Sequence, residues 1–519
     1  MYSVSILNTL AVVSVSLIVA YAVLKAVYNI FFHPLSAIPG PWFAAVSDFW
    51  LTTHVIRLEQ CKVVDSLFAR YGPVVRVGPN KVFFNDLSST KNVYSLHKFD
   101  KSDYYKSLLT NNNDHAMTTL EHAPHSMRRK GYAPHYAPAN IAKFQPEMHE
   151  PMVELVNNVT NVAGKTSIEC LTLFRNLMVD VLVSISYGYR INAVKKWASD
   201  NEDPLSTAIS DFPKRGILRS VVPTWAWNLV CRIPISRWRQ LCDSDRIMAE
   251  FVSERVYQAR TEINSGKVDE SFENVPMLHR LLKYRYSSTG QMMPDNDIIS
   301  EAMGHMIAGS DTSSISLSYF LWELSRRPDI AAKLQAELDE AMPNAHAIPD
   351  ISVLAGLPYL NAFINEGLRV YSAAPSPLER VVPETLSKMG EGFDLMGFEL
   401  PAGTVVATQA WSMHRNSTIF PSPETFTPER WLETDQPGCA ERLARMQQNM
   451  MPFGTGSRIC GGKNLAQAML KVMVAAVARN FDVVAPPETN EKSMEIKDSF
   501  VSYFPSAMEC KLIFKPRSS

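Results

Sequence analysis

The chain has 519 residues, of which 46% are hydrophobic and 20% charged, with a formal net charge of -1. That is ample for a sizeable core, and with no basic tail or aromatic-basic repeat it excludes nucleic acid as a partner. The seven cysteines are odd in number and never spaced CxxC, which excludes a disulfide framework and a thiolate zinc site.

Residues 1–24 carry no charged side chain and include LAVVSVSLIVAYAVL before Lys25, a run long enough to cross a bilayer. A retained membrane anchor over 1–26 is expected. The other readings are a cleaved signal peptide and a buried core helix. The first is disfavoured because no basic residue precedes the run, which leads through YNIFF into HPLSAIPGPW. Charge on the C-terminal side only is compatible with the bulk of the chain staying cytosolic. Pro34, Pro39, Gly40 and Pro41 make 27–44 a stiff linker, and 45–519 reads as one domain.

YGPVVRVGPNKVFFND predicts paired strands, Val74 to Val77 and Lys81 to Asn85, around Gly78-Pro79-Asn80. His115, His122, His125 and His135 fall in one short region, but Pro124 interrupts them and no HExxH or carboxylate follows at ligand spacing, so a zinc site is set aside. From about 145 to 345 the periodicity is helical, and 380–410 returns to strand-like text with a Pro-Ala-Gly turn in LPAGTVVATQA. Sequons at Asn158 and Asn416 are expected to be unmodified. The fold class is mainly α with a small β-sheet region.

In GHMIAGSDTSSISLSYFLWELSRRP, Gly309 removes side-chain bulk and Thr312 can bond back to the carbonyl of Ala308, locally opening a helix. Alone, this stretch reads equally as a serine- and threonine-rich core helix. INEGLRVY puts Glu366 and Arg369 three apart on one helix face, where they can pair; alone, they read as a solvated pair.

MPFGTGSRICGGKNLAQAML sets Cys460 between a glycine-rich turn and the start of a helix. Glycines at 454, 456, 461 and 462 let the backbone pass close to a flat bulky object and turn N–H groups toward the sulfur. The helix N-terminus adds positive potential. Both effects favour a thiolate, either a nucleophile or a metal ligand. The neighbourhood offers no base but does offer Arg458, a fixed cation suited to an anionic group of a cofactor.

FGTGSRICGG matches each defined position of the pattern F-x-x-G-x-R-x-C-x-G of cytochromes P450, with Phe453, Gly456, Arg458, Cys460 and Gly462 in place. The chain resembles that family over nearly its whole length. The resemblance implies the P450 fold behind one transmembrane helix, and haem b with Cys460 as the axial thiolate, a ligand whose electron donation favours O–O cleavage. Phe453 would pack beside the sulfur and Arg458 would pair a haem propionate. Glu366, Arg369 and, from FTPERW, Arg430 would form a buried charge network that holds the haem-binding core. AGSDTS resembles A-G-x-[DE]-T-[TS], which implies that Ala308 and Gly309 lie over the distal face while Asp311 and Thr312 orient water and relay protons. HSMRR resembles Trp-x-x-x-Arg, which places Arg129 on a propionate and His125 in the position of the tryptophan. Arg380, in PSPLERVV, stands where the family often has another propionate partner.

The implied function is haem-thiolate monooxygenation of a lipophilic small molecule by a microsomal, fungal-type member, with a terpenoid or other secondary metabolite as the expected substrate class. GTGSRI is not a dinucleotide fingerprint, since Ile459 occupies the third glycine position. The resemblance implies that electrons come from an NADPH-cytochrome P450 reductase, with cytochrome b5 as a candidate second donor. The resemblance implies a single-pass endoplasmic reticulum protein with a cytosolic catalytic domain. Arg128, Lys130 and Lys463 are candidates for the reductase-docking face, an ordinary solvated basic face being the alternative. Substrate contacts would come from Lys101 to Leu120, helices near 205 to 230, Ala373 to Leu378 and Ser502 to Ser506. A reductase-independent isomerase or dehydratase, or a non-catalytic haem binder, would have no need of Asp311 and Thr312.

Overall fold

The N-terminal apolar run forms helix α1, Tyr2–Val27, and continues through a π-helical turn, Tyr28–Phe32, that ends at His33. The helix thus outruns the expected boundary at 26, because YNIFF is as apolar as what precedes it and the first residue unable to donate an N–H is Pro34. Asn8–Phe32 is long and apolar enough to span a bilayer, and its most apolar stretch is exposed along its length. The computed structural model describes residues 2–162, 164–199, 203–266, 274–385, 392–499 and 502–517. Contacts divide these into two units, one of residues up to Ser102 with Pro377–Gln409, the other of Asp103–Ser376 with Ala410–Ser519.

In the first unit, β1 (Val74–Gly78) and β2 (Lys81–Phe84) pair antiparallel around the predicted turn, with Val75 opposite Phe83. The full sheet has the order β1, β2, β5 (Val405–Ala407), β4 (Arg380–Val381), β3 (Asp100–Lys101). Helix α2, Gln60–Tyr71, packs Val64, Leu67 and Phe68 against Val75, Val77 and Phe83. The proline linker is tied down by Arg76, whose N–H donates to Pro39 O at 2.8 Å and whose guanidinium reaches Asn29 O and Pro79 O, each at 2.7 Å. A side chain at position 40 would lie 2.4 Å from Arg76 O, which is why glycine stands there.

The second unit is helical, with a three-stranded sheet of Ile168–Glu169, Lys511–Pro516 and Phe481–Val484 at its edge. The elements that frame the site are α3 (His122–Tyr132), α4 (Cys170–Tyr187), α5 (Pro204–Val221), α6 (Ser236–Asn264), α7 (Asp295–Arg326), α8 (Pro358–Val370) and α9 (Lys463–Asn480). By composition α4 could cross a membrane, yet it is buried along its length and is the core helix on which α7 packs. Its N-terminus is capped by Glu169, which accepts the N–H groups of Leu171 and Thr172 at 3.0 and 2.7 Å. Gly309 lets the two helices close: a Cβ there would fall 2.8 Å from Leu182 Cδ1.

Candidate functional site

The Cys460 loop is built by backbone that only glycine adopts without strain. Gly454 and Gly456 have φ of +69° and +68°, a short 3₁₀ turn follows over Gly456–Arg458, and the N–H of Cys460 donates to Phe453 O at 2.9 Å. Phe453 is half-buried against the main core of the unit. Helix α9 begins three residues beyond the cysteine, and the N–H groups of Gly462 and Lys463 point at its sulfur. Cys460 is exposed to solvent, yet burial is the largest influence on its thiol and pushes its pKa up, against those N–H groups and the charge of Arg129. The backbone donors act in the expected direction, pulling the thiol's pKa down, while desolvation acts against them and prevails; a bound cation would favour the thiolate further.

Two arginines converge on this loop. Arg129 donates to Ile459 O at 2.6 Å and has no carboxylate partner among the described residues, an arrangement suited to an anionic group. Arg458 spans to the other side, donating to Thr119 O at 2.8 Å and Leu120 O at 2.6 Å. His125 is buried one turn before Arg129 on α3. Arg128 corrects the docking-face reading. Its side chain is mostly covered and pairs with Asp297 at 3.0 Å and Glu301 at 3.7 Å, so it is neither a docking cation nor a solvated one. Burial alone would raise the pKa of Glu301, but His305, His115 and Arg128 outweigh it and hold the carboxyl below its usual range. Arg380 is buried on β4 in the first unit, donating to Glu379 O at 2.7 Å beneath the Tyr94 ring.

The charge network is complete. Glu366 and Arg369, both 0% exposed, make a bidentate pair with two bonds of 2.8 Å. Arg430 Nε donates to Glu366 Oε1 at 3.0 Å, and Thr427 N–H and the Trp431 indole add bonds of 2.9 Å each. Arg369 also holds His414 O at 3.0 Å and Thr425 O at 3.3 Å. Motif reading missed His414. Its Nδ1 meets Arg369 O at 3.1 Å and its Nε2 accepts the Met451 N–H at 2.8 Å, which joins the network to the start of the Cys460 loop.

On α7, His305, Ala308, Gly309 and Thr312 share one face and stay accessible, while Met306, Ser310, Asp311 and Ser313 are buried. The mid-helix thus presents a narrow strip to open space. Thr312 donates to Ala308 O at 2.7 Å as expected, but the helix stays continuously α from Asp295 to Arg326. The expected opening does not occur, because the carbonyl can accept a hydroxyl through a second lone pair without giving up its place in the ladder. Asp311 points away from the strip and accepts from Arg175 Nε of α4 at 2.6 Å, while its Oδ2 is buried without a hydrogen-bond partner. Lys214 of α5 lies in the field of Asp311 and of Asp211, which pairs with Arg237. Burial lowers the pKa of Lys214, helped by Arg175 and Arg237 and opposed by both aspartates.

The site thus joins an accessible cysteine in a glycine loop to a buried Glu-Arg-Arg network, with an alanine-threonine strip in the same unit. The sequence profile of Cytochrome P450 matches residues 39–508, and the chain belongs to that family. It is 27% identical to a cytochrome P450 monooxygenase, cypX, of Dothistroma septosporum over 96% of this chain and 94% of that one. It is 29% identical to another, hkm5, of Aspergillus hancockii, over 92% and 90%. The heme domain of cytochrome P450DA superposes with a TM-score of 0.72 over 93% of this chain and 98% of that one, at 18% identity, which supports the fold. The chain is a cytochrome P450 monooxygenase, an oxidoreductase of a haem-iron family, with one N-terminal helix that is a candidate membrane anchor.

Proposed function

We propose that Cys460 is the thiolate ligand of haem b, that Arg129 and Arg458 hold its propionates, and that residues 45–519 supply the catalytic domain. The accessible thiol, held in its glycine loop with the N–H groups of Gly462 and Lys463 aimed at the sulfur, carries this reading. Haem iron with a thiolate ligand supplies the redox chemistry by which one atom of dioxygen enters a C–H or C=C bond. The chain's own residues do the rest. The N–H groups of Gly462 and Lys463 fix the sulfur, and Ala308 and Gly309 keep the facing helix flat. Thr312, with its hydroxyl parked on Ala308 O, holds or releases a proton at Oγ1, and Asp311, on swinging from Arg175 and taking up a proton from water, passes that proton on to reload it.

The substrate is lipophilic, in keeping with the apolar anchor, and a fungal terpenoid or related secondary metabolite is the class proposed. Electrons come from an NADPH-cytochrome P450 reductase, with cytochrome b5 as a secondary donor, at the endoplasmic reticulum membrane with the bulk of the chain cytosolic. Reconstituting the full chain with that reductase in lipid vesicles, under ¹⁸O₂ and with a terpenoid panel, tests this. Reductase-dependent product carrying one labelled oxygen is expected. Turnover only of polar primary metabolites, or product formed without reductase, would overturn it.

A further inference from the structure

Tyr132 closes α3, is 3% exposed, and carries a hydroxyl with no hydrogen bond among the described residues. Its ring occupies the space that a side chain on Gly461 would fill. A Cβ built on Gly461 falls 2.8 Å from Tyr132 Cε2 and 3.4 Å from the hydroxyl oxygen. The glycine after Cys460 and the tyrosine on α3 are thus two halves of one packing solution, and the phenol is delivered to the residue next to the sulfur. Its surroundings include Arg129, Arg458 and Cys460 itself.

The ring is wedged from behind. The His305 imidazole meets it edge-on with centroids 4.4 Å apart, and Tyr136 does so at 6.2 Å. His305 is in turn fixed between the Tyr136 hydroxyl at 3.2 Å and Glu301 at 3.4 Å. A leucine or phenylalanine would fill this space equally well. The hydroxyl oxygen is not among the fully buried polar atoms without a partner, so it keeps some access to solvent; a group bound over Cys460 that removed this access would leave it unsatisfied at about 1–3 kcal/mol unless an acceptor is at hand. Glu301 already serves the Ala116 N–H, His305 and Arg128. The Cys460 sulfur, next to Gly461 and within the electrostatic reach of the phenol though not hydrogen-bonded to it in this structure, is the acceptor that remains.

We propose that Tyr132 is a positioning residue for Cys460, its O–H donating to the sulfur in the haem-loaded enzyme and drawing charge from it. This rests on Cys460 being the thiolate ligand. A donor to the thiolate favours the ferrous form, which places more charge on sulfur, so removing it lowers the iron's reduction potential.

The test is the full-length holoenzyme with Tyr132→Phe, which keeps the ring and removes only the hydroxyl. The carbon monoxide band should stay of thiolate type and the melting temperature should be nearly unchanged. At a fixed applied potential the ferrous-to-ferric ratio should fall about three- to tenfold, a tenfold change being about 59 mV for one electron. Gly461→Ala, which displaces the ring, should shift the potential the same way, and adding Tyr132→Leu to it should restore stability but not potential. An unchanged midpoint in Tyr132→Phe overturns the proposal, as does an unchanged midpoint in Gly461→Ala should Tyr132→Phe fail to retain haem. A wild-type protein without a thiolate-type band would overturn the ligand assignment itself and this proposal with it.

Discussion

His414 Nε2 accepts the backbone N–H of Met451 at 2.8 Å while the opposite ring nitrogen meets Arg369 O at 3.1 Å. A single neutral imidazole thus couples the buried Glu-Arg pair to the segment that leads into Cys460. The tautomer follows: Nε2 must be bare to accept, so Nδ1 carries the proton.

Acid stability should report this imidazole. Burial, aided by the charges of Arg369 and Arg415, pulls the pKa of His414 down to about 3, against 6.5 for a free imidazole. Between those values the unfolded chain binds the extra proton, so stability falls as pH drops below about 6.5 and is fully present above it. The slope contributed is about 1.4 kcal/mol per pH unit. His414→Gln, which can keep both hydrogen bonds without titrating, should remove one proton's worth of slope from denaturant midpoints measured between pH 5 and 7. An unchanged slope would contradict the assignment.

Breaking the charge network should cost far more. Glu366→Gln leaves Arg369 and Arg430 buried without their carboxylate, and a stranded buried charge costs about 3–5 kcal/mol. Urea unfolding of the variant should show a loss of that size together with loss of haem. Near-native stability would mean that the network is not the keystone of the core.

The Arg175–Asp311 pair separates stability from turnover. Asp311→Asn should retain haem but lower kcat by about 10² if Asp311 reloads Thr312 with protons. Arg175→Met should instead strand the carboxylate and destabilise the fold by about 3 kcal/mol or more. Full kcat in Asp311→Asn would remove it from the relay.

Gly309 tests helix packing. Since Leu182 fills the space a side chain would need, Gly309→Ala should destabilise by about 1–3 kcal/mol, and Leu182→Ala in the same chain should recover part of it. The thermal shift of the two variants decides the matter.

Residues whose chemistry is carried by short spacing could be read from the sequence. Cys460 with its glycines, Glu366 with Arg369, and Thr312 four residues after Ala308 each sit with their partners inside one loop or one helical turn. The strands around Gly78-Pro79-Asn80 were legible for the same reason. Residues whose partners lie far along the chain were not. Met451 is 37 positions from His414, and Asp311 is 136 from Arg175. One signal was present for Arg175: an arginine inside CLTLFRNLMVDVLVSISY must find a partner once that helix is buried. The assignment of Pro377–Gln409 to the N-terminal unit also depends on long-range strand pairing, β2 with β5 and β3 with β4, that local text does not encode.

The central claim is that Cys460 is the axial ligand, and the carbon monoxide difference spectrum of the reduced full-length protein, run beside Cys460→Ser, tests it most directly. The account predicts a red-shifted thiolate-type Soret band in the wild type that is missing from the variant. A well-folded wild type with no haem band, or a band that survives in Cys460→Ser, would contradict it.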